Sequence, residues 1–204
     1  MSRKLIILLH GVGSSGATMA PLGAAWQAAM PDTDVAAPDA PFGFDHGAGW
    51  QWFSLVGITP ANRPERIVAA RESFDRMLAA ILTEHGLAGR LDEVVLAGFS
   101  QGAIMALDAV ASGRWPVAAV VGFSGRLATP VPLTPAAQTP VMLIHGDADG
   151  AIPVAESVSA EAMLLAAGVA AKLHVLRGVG HTISPDGAAI AGRFIAEVLA
   201  EAPA

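Results

Sequence analysis

Short apolar runs recur along the chain. Each ends near Gly, Pro or Asp, and longer stretches between them bring apolar residues back every three or four positions. Continuous apolar runs suit strands buried on both faces, and the longer period suits helices lying against a sheet. The runs predict strands at 4–9, 33–36, 93–97, 117–122, 141–145 and 172–176, and the periodic stretches predict helices at 18–29, 64–85, 101–112, 154–167 and 188–201. The 64–85 stretch is the clearest. Pro64 falls in its first turn, Ile67, Phe74, Leu78 and Ile81 share one face, and Glu72 and Arg76 form an i,i+4 pair on the other.

Strand–helix alternation of this kind predicts an α/β fold, a mostly parallel central sheet with helices on both faces. No linker, repeat or charge block interrupts it, so 204 residues read as one domain spanning 1–204. The irregular segment 41–63 is the exception. Loops of that length inside a compact domain are usually functional.

Composition narrows the chemistry. At 53% apolar and 15% charged, with a net charge of −6, the chain has no basic surface for nucleic acid or an anionic bilayer. It has no cysteine, which excludes disulfides, thiolate metal sites and a cysteine nucleophile. The run 5–9 is too short for a secretion signal and ends in His-Gly, so it reads as a buried first strand. A cytoplasmic location is expected, with no stable membrane insertion.

The segment "VVLAGFSQGAIMAL" carries the strongest chemical signal. Glycines two before and two after Ser100 fit an abrupt strand-to-helix turn that presents a hydroxyl at the N-terminal end of a helix. The pattern follows a predicted strand and precedes a predicted helix, the context such a motif requires. "VVGFSGRLATP" looks similar, but Arg126 stands where the second glycine should be and Pro130 and Pro132 follow, so Ser124 reads as a turn residue.

A serine nucleophile needs a base. Of six histidines, His10 and His145 end strands, His85 ends a helix, His174 lies inside a strand, and His46, in the long loop, is an alternative base. His181, in "RGVGHTISPDG", stands between the last strand and the last helix and is the expected base. The orienting carboxylate should fall between Ser100 and His181. "LIHGDADGAIP" offers Asp147 and Asp149, and spacing alone does not choose between them; one can hold the imidazole while the other caps the turn. Asp108, inside the helix after Ser100, suits a salt bridge instead. "LLHGVGSSG" supplies a Gly-rich turn, so the N–H groups of Val12 and Gln101 are the expected oxyanion donors. The same turn lacks the spacing of a phosphate-binding loop.

"LHGVGSSG", "GFSQGA", "HGDADGAIP" and "GVGHTI" together resemble the oxyanion, nucleophile, acid and histidine segments of the carboxylesterase/acyl-protein thioesterase family of α/β-hydrolases, also called the phospholipase/carboxylesterase family. The resemblance runs nearly end to end, and "GWQWFSL" is similar to a segment of bacterial esterase members. It implies an α/β-hydrolase fold, Asp149 as the acid of the triad, and ester hydrolysis with no cofactor and no metal. The chain departs from the family's common residues at Ser14 and Gly150 and lacks the "aWyD"-type loop of the eukaryotic thioesterases.

The expected function is hydrolysis of short to medium carboxylic esters by Ser100, His181 and Asp149 through an acyl-enzyme. Thioester or lysophospholipid hydrolysis, and a non-catalytic binding role, are the alternatives. The partner expected is a small-molecule ester, with no nucleic acid; a homodimer is compatible with the sequence. Phe42, Trp50, Trp52 and Phe53 in the long loop suit either an apolar wall for the acyl chain or a satellite core beneath the loop.

Overall fold

The computed structural model describes residues 3–201. Strand β1 (Lys4–Leu9) leads through a 3-10 turn into helix α1 (Ala20–Ala29), and β2 (Thr33–Ala36) follows. The long loop contains a small hairpin, β3 (Phe42–Gly43) and β4 (Trp50–Gln51). Then come α2 (Arg63–Glu84), β5 (Val94–Phe99), α3 (Gln101–Ala111), β6 (Ala119–Phe123), β7 (Val141–Gly146), α4 (Ala155–Ala166), β8 (Ala171–Leu176) and α5 (Pro185–Glu201). Six strands form one parallel sheet in the order β2-β1-β5-β6-β7-β8.

Alternate side chains of each strand point to opposite faces, and the core divides accordingly. Leu5, Ile7, Leu9, Leu96, Val120 and Leu143 pack with α2, α3 and α4. Ile6, Leu8, Val95, Ala97, Val121 and Ile144 pack with α1 and α5 through Trp26, Ala191, Ile195 and Leu199. Both faces are covered over the central strands β1, β5, β6 and β7, which is why these read as unbroken apolar runs.

Helix α2 buries Ile67, Phe74 and Leu78 as the periodicity predicts, but Leu82 takes the last buried position and Ile81 stays half-buried. Its solvent face carries the Arg76–Glu72 pair at 2.6 Å. Asp108, fully buried on α3, accepts Arg71 from α2 and Arg114 at 2.8 to 2.9 Å, and Thr129 at 2.8 Å. Arg114 also reaches Asp75 of α2. These ion pairs clamp α2 and the loop after α3 onto the helix that follows Ser100. Among the described residues, no helix is long and apolar enough to cross a membrane.

The strand order reverses between β1 and β5. The chain leaves β1 toward β2 on one side and leaves β5 toward β6 on the other, with α1 and α3 on opposite faces of the sheet. In open parallel sheets a crevice opens at such a point, outside the carboxyl ends of the strands. The turns carrying Val12 and Ser100 stand on its two sides.

Candidate active site

Ser100 sits at the turn from β5 into α3 with φ +53° and ψ −114°, a conformation a side-chain-bearing residue rarely adopts. Its neighbours make the turn feasible. A Cβ on Gly98 would stand 2.4 Å from the backbone of Gly102, and one on Gly102 would stand 2.2 Å from the Leu9 carbonyl. Only glycine at both positions lets the strand, the helix and β1 approach this closely. The Ser100 N–H donates to Phe123 O at 2.9 Å and its carbonyl accepts Ile104 N–H at 3.1 Å, so the backbone is fixed on both sides.

His181 approaches from the loop after β8. Its Nε2 lies 2.9 Å from Ser100 Oγ and its Nδ1 lies 2.7 Å from Asp149 Oδ2. A carboxylate only accepts, so Nδ1 carries the proton and Nε2 is left to accept from the serine hydroxyl. Phe99 packs against the imidazole with ring centroids 4.9 Å apart. The Ala148 N–H donates to Val179 O at 3.0 Å, and Asp147 Oδ1 accepts Gly178 N–H at 2.6 Å. The acid turn and the histidine loop are thereby tied together.

The two aspartates divide their work differently from the sequence-based expectation. Asp149 both holds the imidazole and caps its own turn: its Oδ1 accepts Ala151 N–H at 2.8 Å and Ile152 N–H at 2.9 Å. Asp147 is exposed and touches neither Ser100 nor the imidazole. Burial opposes ionisation of Asp149, but the bond from His181 and the N–H groups of Ile152 and Ala151 outweigh it and hold its pKa at about 2. His145 supports the same carboxylate. Its Nε2 faces Ile152 O at 2.8 Å and Asp149 Oδ2 at 3.2 Å, while Nδ1 meets Ser157 Oγ at 2.7 Å.

Val12 and Gln101 both line the cleft, and among the described residues neither backbone N–H donates to a protein acceptor. Gln101 is the first residue of α3, where helical N–H groups lack partners. The turn holding Val12 is braced from behind. Gly13 N–H donates to Trp50 O and Trp50 N–H donates to Ser14 O, both at 2.8 Å, so β4 pairs with this turn. His10 is buried. Its Nε2 accepts Ala40 N–H at 2.9 Å, leaving Nδ1–H for Gly11 O, and burial holds its pKa below the ordinary histidine value.

The cleft over these groups has a volume of about 620 Å³ and is lined by Met19, Phe53, Leu55, Ile58, Phe99, Ile104, Ile152 and Ile183, with Arg63 and Arg126 among them. Of Phe42, Trp50, Trp52 and Phe53, only Phe53 lines it. Trp52 is 1% exposed, and its indole Nε1 donates to His10 O at 2.8 Å while its ring meets Phe74 edge-on. It belongs to the core beneath the loop, so its expected place in an acyl wall is corrected. Phe42 and Trp50 are exposed and do not line this cleft; Trp50 braces the Val12 turn through its backbone. Ser124, with φ +47°, directly follows β6 and does not line the cleft. Ile183 follows His181 by two residues and was within reach of a sequence reading. Arg63, Ile104 and Arg126 come from separate elements with no shared pattern. Among the described residues, no three His, Asp or Glu side chains gather into a group that could hold a metal ion.

A six-stranded parallel sheet flanked by helices, with a serine on a strained strand-to-helix turn above it, is an α/β-hydrolase fold. The family model described as Phospholipase/Carboxylesterase matches residues 1–199, and the chain belongs to that family. It is similar to Esterase YpfH of Escherichia coli (strain K12), 33% identical over 182 residues, which cover 89% of this chain and 77% of that protein. The crystal structure of esterase PE8 superposes with a TM-score of 0.89 at 37% identity, covering 97% of this chain and 94% of the other. Acyl-protein thioesterase 1 of Saccharomyces cerevisiae is 24% identical over 200 residues, covering 91% of this chain and 88% of that protein.

Proposed function

We propose that this chain hydrolyses carboxylic esters by acyl transfer to Ser100. The observation that carries the reading is the continuous path of hydrogen bonds from Asp149 through His181 to Ser100, at 2.7 Å and 2.9 Å. Membership of the phospholipase/carboxylesterase family and likeness to two proteins named as esterases support it.

His181 Nε2 takes the hydroxyl proton as Ser100 Oγ attacks the ester carbonyl. Asp149 holds the Nδ1–H tautomer and stabilises the imidazolium. The N–H groups of Val12 and Gln101 receive the oxyanion, and each such donor is worth roughly a hundredfold to a thousandfold in turnover. The imidazolium then protonates the leaving alcohol. Water, deprotonated by the same imidazole, releases the acid and regenerates the serine.

Phe53, Leu55, Ile58 and Ile104 give the cleft an apolar wall suited to short and medium acyl chains. A thioester would follow the same path. Ser100→Ala and His181→Ala, assayed on p-nitrophenyl acetate, butyrate and octanoate, are each expected to abolish turnover while keeping the native melting temperature within a few degrees. Near-native hydrolysis by folded Ser100→Ala would exclude the mechanism.

A further inference from the structure

Two guanidinium groups line the same cleft as Ser100 and His181. Arg63 is the first residue of α2, and Arg126 follows β6. No Asp or Glu lines the cleft, although the chain as a whole carries a net charge of −6. The local field is therefore positive against an acidic background.

This arrangement is electrostatically costly when nothing is bound. Arg126, with its side chain 14% exposed, meets Glu156 through Nη1 alone at 3.1 Å, and Glu156 is turned more to solvent at 38%. Its Nε and Nη2 have no acceptor among the described residues, and the guanidinium of Arg63 has none either. Burial pushes the Arg126 pKa down, Glu156 opposes this, and the charge of Arg63 depresses it further. Arg63 also stands at the N-terminal end of α2, where the helix dipole disfavours a cation. Glu65, in the same turn, is exposed and does not line the cleft.

A bound anion relieves all of these costs together. A carboxylate matches the planar fork of a guanidinium and gains charge-assisted hydrogen bonds in a partly dry cleft. We propose that the preferred substrates are esters that carry a free carboxylate remote from the ester group, such as monoesters of dicarboxylic acids, and that Arg63 and Arg126 hold that carboxylate while Ser100 attacks the ester carbonyl. The assignment rests on the hydrolytic reading above and adds the substrate class. The remote carboxylate is unchanged in the reaction. The ester C–O bond breaks, the alcohol leaves with the proton from His181, and water completes release of the dicarboxylic acid.

The test compares monoethyl esters of succinic, glutaric and adipic acid with the corresponding ω-amides, which match them in shape and lack the charge. The wild type is expected to prefer the acid over the amide by about tenfold in kcat/KM for at least one chain length, the size of one charge-assisted hydrogen bond. Added sodium chloride should shrink the preference. Arg63→Gln and Arg126→Gln should each lower the acid-to-amide ratio, chiefly through KM of the acid. Because Arg126 is paired with Glu156 and its replacement can disturb folding, Arg63→Gln, which breaks no ion pair among the described residues, carries the decision. An acid-to-amide ratio near one in the wild type at every length, or a ratio unchanged in Arg63→Gln, overturns the proposal. Failure of the wild type to hydrolyse either the acid or the amide ester would instead count against the hydrolytic reading itself, so the two failures are distinguishable.

Discussion

The side-chain carboxamide of Gln101 bridges the helix after the nucleophile to the long loop: its Oε1 accepts Trp52 N–H at 2.7 Å and its Nε2 donates to Phe53 O at 2.7 Å. Gln101 is buried, so both bonds are shielded from water. One residue thus presents a backbone N–H to the cleft and holds the cleft wall with its side chain. Gln101→Ala leaves a buried N–H and a buried carbonyl without partners, at a cost of about 1–3 kcal/mol each. The expected result is a lower melting temperature together with a raised KM for butyrate and octanoate esters. Gln101→Glu should also be impaired, because its carboxylate meets the Phe53 carbonyl without a proton to donate. Calorimetry and steady-state kinetics check both.

Trp52 and Phe53 are adjacent, yet the structure gives them opposite surroundings. Trp52→Ala opens a cavity among His10, Phe74 and the loop, and should cost about 3–5 kcal/mol in stability. Its effect on kcat/KM should be similar for every acyl length. Phe53→Ala enlarges the cleft wall and should change KM for octanoate more than for acetate. An acyl-length series on the two variants separates them.

The contact of Gly102 with the Leu9 carbonyl fixes how close α3 lies to β1. Gly102→Ala should push the helix away and displace the Gln101 N–H, proposed above as an oxyanion donor. Turnover should fall by about a hundredfold, the effect of losing one donor. Soluble, folded protein with unchanged kcat would contradict the proposed donor.

Asp108 and Asp149 are both held below the ordinary carboxylate value of 3.8. Burial opposes this at Asp108, and the bonds from Arg71, Arg114 and Thr129 outweigh it. Carboxyls depressed in the folded state contribute stability that is full above the unfolded pKa and lost as pH falls through the folded one. Stability should therefore decline from about pH 4 downward, through the folded value of about 2 at Asp149. Asp108→Ala leaves Arg71 and Arg114 facing no buried carboxylate and should cost about 3–5 kcal/mol at neutral pH. Denaturant titrations between neutral pH and acid measure both effects.

Much of the sheet was legible because its central strands are buried on both faces. The first two strands have the bounds the apolar runs indicated. β5 runs on to Phe99 instead of stopping at Ala97, since its pairing with β6 continues to Phe123. Helix α5 starts at Pro185, earlier than its apolar pattern shows, because Ser184 Oγ accepts Gly187 N–H and proline suits a first turn. The hairpin at β3 and β4 was not legible. Its two-residue strands are too short to show a period, and its pairing depends on the distant backbone of Gly13 and Ser14.

The three side chains that meet at the sheet edge could be named from the sequence because each follows a recognisable turn. The choice between Asp147 and Asp149 needed either the family resemblance or the fold, since which one faces His181 depends on how the turn closes. The cleft walls were less legible. An aromatic residue in a loop reads alike whether it supports the loop, as Trp52 does, or lines the cleft, as Phe53 does.

The most direct measurement is the intact mass of the protein after treatment with a fluorophosphonate, followed by peptide mapping. A reactive hydroxyl at the strained turn should give a single adduct on Ser100, which forms slowly or not at all in His181→Ala. Wild-type protein that hydrolyses esters yet remains unlabelled at Ser100, or is labelled at another serine, would contradict the account.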